Sequence, residues 1–403
     1  MSTISSILER YHDYREPSLN DRFFKHIDIQ PLIQNRKAFT VTQAGQSFEQ
    51  RPIYLLEKGN GPVKVFLWSQ MHGDEATATM ALFDLFNFLE ADDDFNPLRN
   101  ALITSCSLFF APMISPDGAE QFNRRNAQGL DINRDFQHQQ TPEGRTLRAL
   151  RDQIDPDFGF NLHDQSVFWS AGNTGNPATI SLLAPAYDDR LSLNDVRKRA
   201  MQLIAGINQE IQSFIPNHVG LFDDEYEPRA FGDNFQAAGT STILIEAGGY
   251  PNDFEKQFIR KIYFGAMLSG LTQIANGRYA DRSLDEYYAI PKNQKLHFSI
   301  LIKNCMVVEN NGAEYRTDIG IIADQVPNET RTGVNYNYVI DDLGDLNGRF
   351  GYLEVDAAHL QLIVSKPLRV NETADLIVQD GLNTILCIEN GKINEKTSKF
   401  SGD

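Results

Sequence analysis

The stretch Lys64-Val65-Phe66-Leu67-Trp68-Ser69-Gln70-Met71-His72-Gly73-Asp74-Glu75 sets an apolar run of strand length directly before a polar turn. A helical pattern starts immediately after it, with Met80, Phe83, Phe86 and Leu89 on one stripe. The run is apolar at consecutive positions, so both of its faces are expected to be buried, as in a parallel strand covered by helices. Working outward, similar runs recur at Ser105 to Met113, Phe158 to Leu162, Thr179 to Ala184 and Ser241 to Ala247. Between and after them lie helical stretches. The clearest runs from about Asp195 to Phe214, with Val196, Ala200, Leu203, Ile207, Ile211 and Phe214 three or four apart and Ser192 or Asn194 as N-cap. Another lies near Phe254 to Ile274. Strands alternating with amphipathic helices predict an α/β fold with a mixed, largely parallel central sheet flanked by helices.

The texture changes after about Leu284. Leu296, Phe298, Ile300 and Ile302 alternate with polar neighbours, and Asn-Gly pairs at Asn311-Gly312, Asn347-Gly348 and Asn390-Gly391 suit hairpin turns. We expect a small all-β C-terminal domain there. The division is residues 1–285 for an α/β domain and 290–403 for the β domain, with the boundary between Gly277 and Lys292 and a frayed polar tail from Lys396 to Asp403. The length of 403 residues accommodates two such cores.

With 37 Lys+Arg against 54 Asp+Glu the net charge is −17, which repels phosphate backbones and anionic lipid and argues against nucleic-acid or membrane partners. The N-terminus lacks the basic and apolar regions of a signal peptide, and no apolar run approaches the ~20 residues of a membrane span. Cys106, Cys305 and Cys387 sit in separate strand-like runs and read as buried thiols. A cytoplasmic location is expected on these grounds; oligomeric state is not written in the sequence.

Four constellations carry chemistry. His72 and Glu75 form an H-x-x-E pair at a strand end, where open α/β sheets bind ligands, and an imidazole with a carboxylate suits Zn²⁺. Its plain alternative is a solvated loop. The segment Ser115-Pro116-Asp117-Gly118 to Phe136 then presents Arg124 and Arg134, planar forks suited to a substrate carboxylate and a transition-state oxyanion, in either assignment, or else to surface ion pairs. His163 ends the run Phe158 to Leu162 and would complete a His₂Glu set with an open fourth position, unless it is a structural strand-end histidine. Glu246 ends the apolar run Ser241 to Ile245; a carboxylate buried there needs a partner, and desolvation would raise its pKa toward that of a general base, a structural ion pair with arginine being the alternative. His12, His26, His138, His218, His297 and His359 lie outside these strand ends.

In this order the residues resemble the zinc carboxypeptidases, the carboxypeptidase A-like metallopeptidases, over roughly residues 40 to 275. The resemblance implies His72, Glu75 and His163 as ligands of one zinc per chain and Glu246 as general base. It implies Arg124 as the transition-state arginine, Asn133 and Arg134 as the clamp on a terminal carboxylate, and Asp131 as the aspartate orienting His72. Gly45 to Ile53 looks like the family's N-terminal strand. Tyr226, twenty positions before Glu246, matches the family's mobile tyrosine, while Arg229 and Phe231 lie in the stretch of its side-chain pocket. Ser115-Pro116-Asp117-Gly118 departs from the usual Asn-Pro-Asp-Gly at its first residue.

The implied reaction is hydrolysis of the C-terminal amide bond of a peptide by metal-activated water. Two neighbouring activities use much the same site: hydrolysis of cell-wall stem peptides and deacylation of N-acyl amino acids. Pro116-Asp117-Gly118 and Arg124 favour the peptidase. A catalytically inactive zinc-binding protein would leave Glu246, Arg124 and Arg134 superfluous. The expected partner is a peptide or a small N-acylated amino acid with a free carboxylate.

Overall fold

A computed structural model describes residues 2–308, 312 and 314–394. Its contacts divide the chain into two compact units, 1–167 with 178–293, and 168–177 with 294–403. The first unit is built on an eight-stranded sheet. In chain order its strands are β1 (Thr40–Gln46), β2 (Pro52–Lys58), β3 (Val63–Ser69), β4 (Cys106–Ala111) and β5 (Phe158–Asp164). After β6 (Trp169–Ala171), which lies in the other unit, come β7 (Ile180–Leu183), β8 (Val219–Leu221) and β9 (Ser241–Ala247). Across the sheet the order is β1-β2-β4-β3-β5-β9-β7-β8. The four central strands β4, β3, β5 and β9 run parallel, with antiparallel pairings at β1–β2, β2–β4 and β7–β9. The sheet is therefore mixed and parallel at its heart, as the alternating pattern predicts.

Side-chain parity explains why β3 reads as a continuous apolar run. Val65 and Leu67 enter a core with the helices Thr77–Glu90, Asp195–Ile211 and Gln257–Asn276. Phe66 and Trp68 point the opposite way, into a second core with Leu147 and Leu150 of helix Pro142–Ile154 and Phe231 and Phe235 of helix Phe231–Ala237. β3 thus buries both faces, as expected of a central strand in a helix-covered sheet. Helix Asp195–Ile211 starts at the expected cap: the Asn194 side chain accepts from the Arg197 N–H. It ends before Phe214, and the helix expected from Phe254 begins at Gln257, behind Lys256 in the left-handed region with φ of 52°. Helix Thr77–Glu90 is buried almost all round rather than along one stripe, because it packs against both the sheet and the helix Gln257–Asn276.

Among its described residues the second unit contains only strands and turns. β11 (His297–Val308), β12 (Glu314–Pro327), β13 (Val334–Gly344) and β14 (Phe350–Asp356) form a sheet of order β13-β12-β11-β14. A second sheet pairs β15 (Gln361–Val364), β16 (Leu376–Asp380), β17 (Asn383–Glu389) and β18 (Lys392–Ile393) in sequence. Ile300, Ile302, Ile319, Ile321, Leu376, Val378 and Leu386 share one core. Segment 168–177 joins this unit by pairing β6 with β10 (Asn293–Lys295).

Two expectations need correction. Gly45 to Ile53 is not one strand: it spans the end of β1, a turn and the start of β2, with Ser47 N–H donating to the Arg51 carbonyl. Of the Asn-Gly pairs, Asn390-Gly391 forms the two-residue hairpin of β17 and β18, both residues having positive φ. Asn347-Gly348 instead begins a crossover, because β14 pairs in parallel with β11. Asn311 lies outside the described residues, as does the Lys396 to Asp403 tail. Cys106, Cys305 and Cys387 are buried and none forms a disulfide. Among the described residues no helix is long and apolar enough to cross a membrane.

The turn after β3 is pinned from the side. Gly73 N–H donates to the Asn123 carbonyl, and a Cβ on Gly73 would lie 1.9 Å from the carbonyl carbon of Gly118. Gly73→Ala is therefore expected to lower unfolding stability by about 1–3 kcal/mol, the range of overpacked sites, as measured by urea unfolding; unchanged stability would show that the two backbones do not meet.

Candidate metal centre

Parity and register bring the site together. In β5, Phe158, Phe160 and Leu162 face the larger core, so Asn161 and His163 face the other way; in β9, Ile243, Ile245 and Ala247 face that core, so Glu246 faces the other way. His163 and Glu246 are direct cross-strand partners, and Ser69 at the end of β3 pairs with Leu162. The chain leaves β3 through Gln70, in the left-handed region with φ of 47°, and delivers His72 and Glu75 beside His163 before the helix Thr77–Glu90 begins.

Glu75 stands between the two imidazoles. Its Oε1 is 2.7 Å from His72 Nδ1 and its Oε2 is 2.6 Å from His163 Nδ1. Asp131 Oδ1 lies 3.2 Å from His72 Nε2, which orients the ring with Nδ1 toward Glu75. Arg124 spans the same groups, with Nη2 2.9 Å from Asp131 Oδ2 and Nη1 3.1 Å from His72 Nδ1 and 3.4 Å from Glu75 Oε1. His72, Glu75, His163 and Glu246 are all buried. Four of the residues singled out in the sequence, together with Asp131, thus form one hydrogen-bonded cluster, and Glu246 adjoins it through the β5–β9 register.

The electrostatics follow from this packing. Burial opposes charging of His72, but Glu75 and Asp131 outweigh it and push its pKa up to about 9. Burial pushes His163 down. Glu75 lies well below the usual carboxylate range because the two imidazoles outweigh its desolvation. Burial pushes Glu246 well above that range; Glu75 and Asp164 add to the shift, and Lys256 and Arg124 oppose it.

The donor set fits a zinc ion. Among the described residues His72, Glu75 and His163 are grouped as candidate ligands, their ligand atoms within 4.8 Å of one another. Two imidazoles and a carboxylate are the set of catalytic zinc sites that keep a fourth position open. His163 Nε2 and Glu246 Oε2 are buried polar atoms without a hydrogen-bond partner within the chain, and each leaves a polar atom at the site able to take one.

Over residues 30–169 the chain matches the zinc carboxypeptidase family. That stretch holds His72, Glu75, Arg124, Asp131, Asn133, Arg134 and His163. Human carboxypeptidase D is 29% identical over 152 residues, which cover 34% of this chain and 10% of that protein. Carboxypeptidase SOL1 of Arabidopsis thaliana is 29% identical over 104 residues, 24% of this chain and 21% of that protein. The chain thus spans about a tenth of the first relative's length and about a fifth of the second's. Two solved structures share the zinc carboxypeptidase-like fold. A metallo-carboxypeptidase from Burkholderia cenocepacia aligns with a TM-score of 0.50 at 19% identity, over 63% of this chain and 69% of that one. Bovine thrombin-activatable fibrinolysis inhibitor, in complex with tick carboxypeptidase inhibitor, aligns with a TM-score of 0.52 at 13% identity, over 66% and 99%.

Of the remaining residues, Asn133 reaches the cluster through Asp131. Asn133 follows Asp131, whose Oδ1 accepts its N–H, and its side-chain oxygen accepts from Phe231 N–H. Arg134 is exposed, its Nε 3.1 Å from Glu227 Oε2. Among the described residues no hydrogen bond links Tyr226 to the cluster; burial and the surrounding carboxylates of Asp233, Asp188, Asp189 and Glu227 push its phenol up. Arg229 is exposed and paired with Glu227 at 2.6 Å. Phe231 is fully buried against Phe136 and Phe235. Sequence reading missed Glu227, which sits in a run of acidic residues, and the buried pair Asp164 and Lys256, of which only Asp164 adjoins a motif.

Because His72 holds a proton up to about pH 9 in the metal-free site, zinc must displace that proton at lower pH. Zinc affinity is expected to rise roughly tenfold per pH unit below that value and to level off above it, read by chelator competition across pH, with proton release seen by calorimetry in two buffers. Asp131→Asn is expected to weaken zinc binding about 10–100-fold in the same assay, since it frees the His72 ring.

Proposed function

We propose that the first unit is a metallocarboxypeptidase that hydrolyses the C-terminal amide bond of peptides at one zinc held by His72, Glu75 and His163. The observation that carries the reading is the pairing of His163 with Glu246 across β5 and β9, beside Glu75 and His72. Zinc bound there supplies a water of lowered pKa, near ~7, and a Lewis acid for the carbonyl.

The chain's residues do the rest. Glu246, desolvated and with Oε2 unengaged, takes a proton from the attacking water and returns it to the departing amine. Arg124, braced by Asp131 and partly exposed, offers its guanidinium to the oxyanion; one such donor is typically worth about 2.7–4 kcal/mol. Asn133 and Arg134 bind the terminal carboxylate, Arg134 exchanging Glu227 for the substrate. Tyr226 belongs to the substrate side. The partner is a peptide with a free C-terminus. The three buried thiols support a reducing, cytoplasmic setting.

Glu246→Gln is expected to keep zinc at one per chain and to lower kcat by roughly 10²–10⁴-fold on a C-terminally free peptide, with the amidated peptide inert to either protein. Equal cleavage of free and amidated peptides, or preference for N-acyl amino acids, would contradict the carboxypeptidase reading; full activity of the variant would contradict the base assignment.

A further inference from the structure

Behind the ligand cluster lies a buried ion pair that the proposed chemistry does not use. Lys256 Nζ is 3.1 Å from Asp164 Oδ2 and donates to the Ala247 carbonyl at 2.9 Å. The same Asp164 oxygen accepts from Thr77 Oγ1 at 2.6 Å, and the Asp164 backbone N–H donates to Glu75 Oε2 at 3.2 Å. Both side chains of the pair are at most 6% exposed. Removing two charges from water is costly, and a hydrophobic pair would stabilise the fold as well or better. Asp164 follows His163, Ala247 follows Glu246, and Thr77 stands two residues after Glu75 at the start of its helix. Each anchor point of this network is thus within two residues of a group the site needs. Lys256 itself adopts the left-handed region, with φ of 52°, a conformation a lysine takes at a cost. Seven residues on, the Tyr263 hydroxyl donates to the Ile245 carbonyl at 2.7 Å, so the start of one helix braces the end of β9 twice.

We propose that Lys256 is a positioning residue for the metal centre, its ammonium joining Asp164 to the Ala247 carbonyl so that Glu75, His163 and Glu246 are held in one geometry. The inference rests on the ligand assignment above and adds a residue that touches neither metal nor substrate. Neither partner suffices alone, because the carboxylate links the ligand-bearing segments and the ammonium links them to the strand that carries the base.

The test uses the full chain and the variants K256M, D164N, K256M/D164N and T77V. Zinc affinity is measured by chelator competition, the ligand field by absorption of the cobalt-substituted protein, kcat and KM on a C-terminally free peptide, and thermal unfolding without metal. K256M is expected to weaken zinc binding about 10–100-fold, to alter the cobalt spectrum and to lower kcat at least tenfold with KM within twofold. The double variant should be no worse than either single one, as members of one unit are non-additive. T77V strands no charge and should shift the cobalt spectrum in the same direction even if K256M fails to fold. Wild-type affinity and cobalt spectrum in K256M or T77V, or losses that only follow the fall in unfolding temperature, would overturn the role of Lys256. Wild-type protein that binds no zinc would instead overturn the ligand assignment itself.

Discussion

The structure depends on the parallel alignment of β3, β5 and β9. Because side chains alternate along a strand, a slip of one residue between β5 and β9 would turn Glu246 into the apolar core and leave His163 without its neighbour. The register is held by burial on both sides: Phe160 and Leu162 enter one core with Ile243 and Ile245, while Phe66 and Trp68 of β3 fill the other. The polar residues at the strand ends are therefore placed by the apolar ones that precede them.

That placement concentrates charge. Glu75, Asp131, Asp164 and Glu246 gather in a buried region where Arg124 and Lys256 supply the opposing cations. Four carboxylates against two cations is an unfavourable balance out of water. His72 responds by holding a proton, and Glu75 by accepting from both imidazoles. A divalent ion held by those three side chains would replace the proton and offset the excess negative charge, a physical reason for burying so many acids together.

Much of this was legible in the sequence because it was written in local pattern. Continuous apolar runs marked β3, β5 and β9, and a single polar residue at the end of each run marked His163 and Glu246. The H-x-x-E pair was visible because both residues leave one turn. What was not legible depends on contacts distant in sequence. Nothing in residues 168–177 says that they join the second unit, and nothing in Asn347-Gly348 says that the next strand crosses over to pair in parallel rather than folding back. Lys256 is one lysine in a polar loop, and only the fold sets it against Asp164.

The central claim, that two imidazoles and one carboxylate from separate strand ends share a single zinc, is tested most directly by zinc X-ray absorption on protein loaded with one equivalent of metal. The account predicts imidazole scattering from two rings at about 2.0–2.1 Å with oxygen ligands at about 2.0–2.2 Å, and loss of one ring's contribution in His163→Ala. A shell of oxygen or sulfur without imidazole, or a spectrum unchanged by His163→Ala, would contradict it.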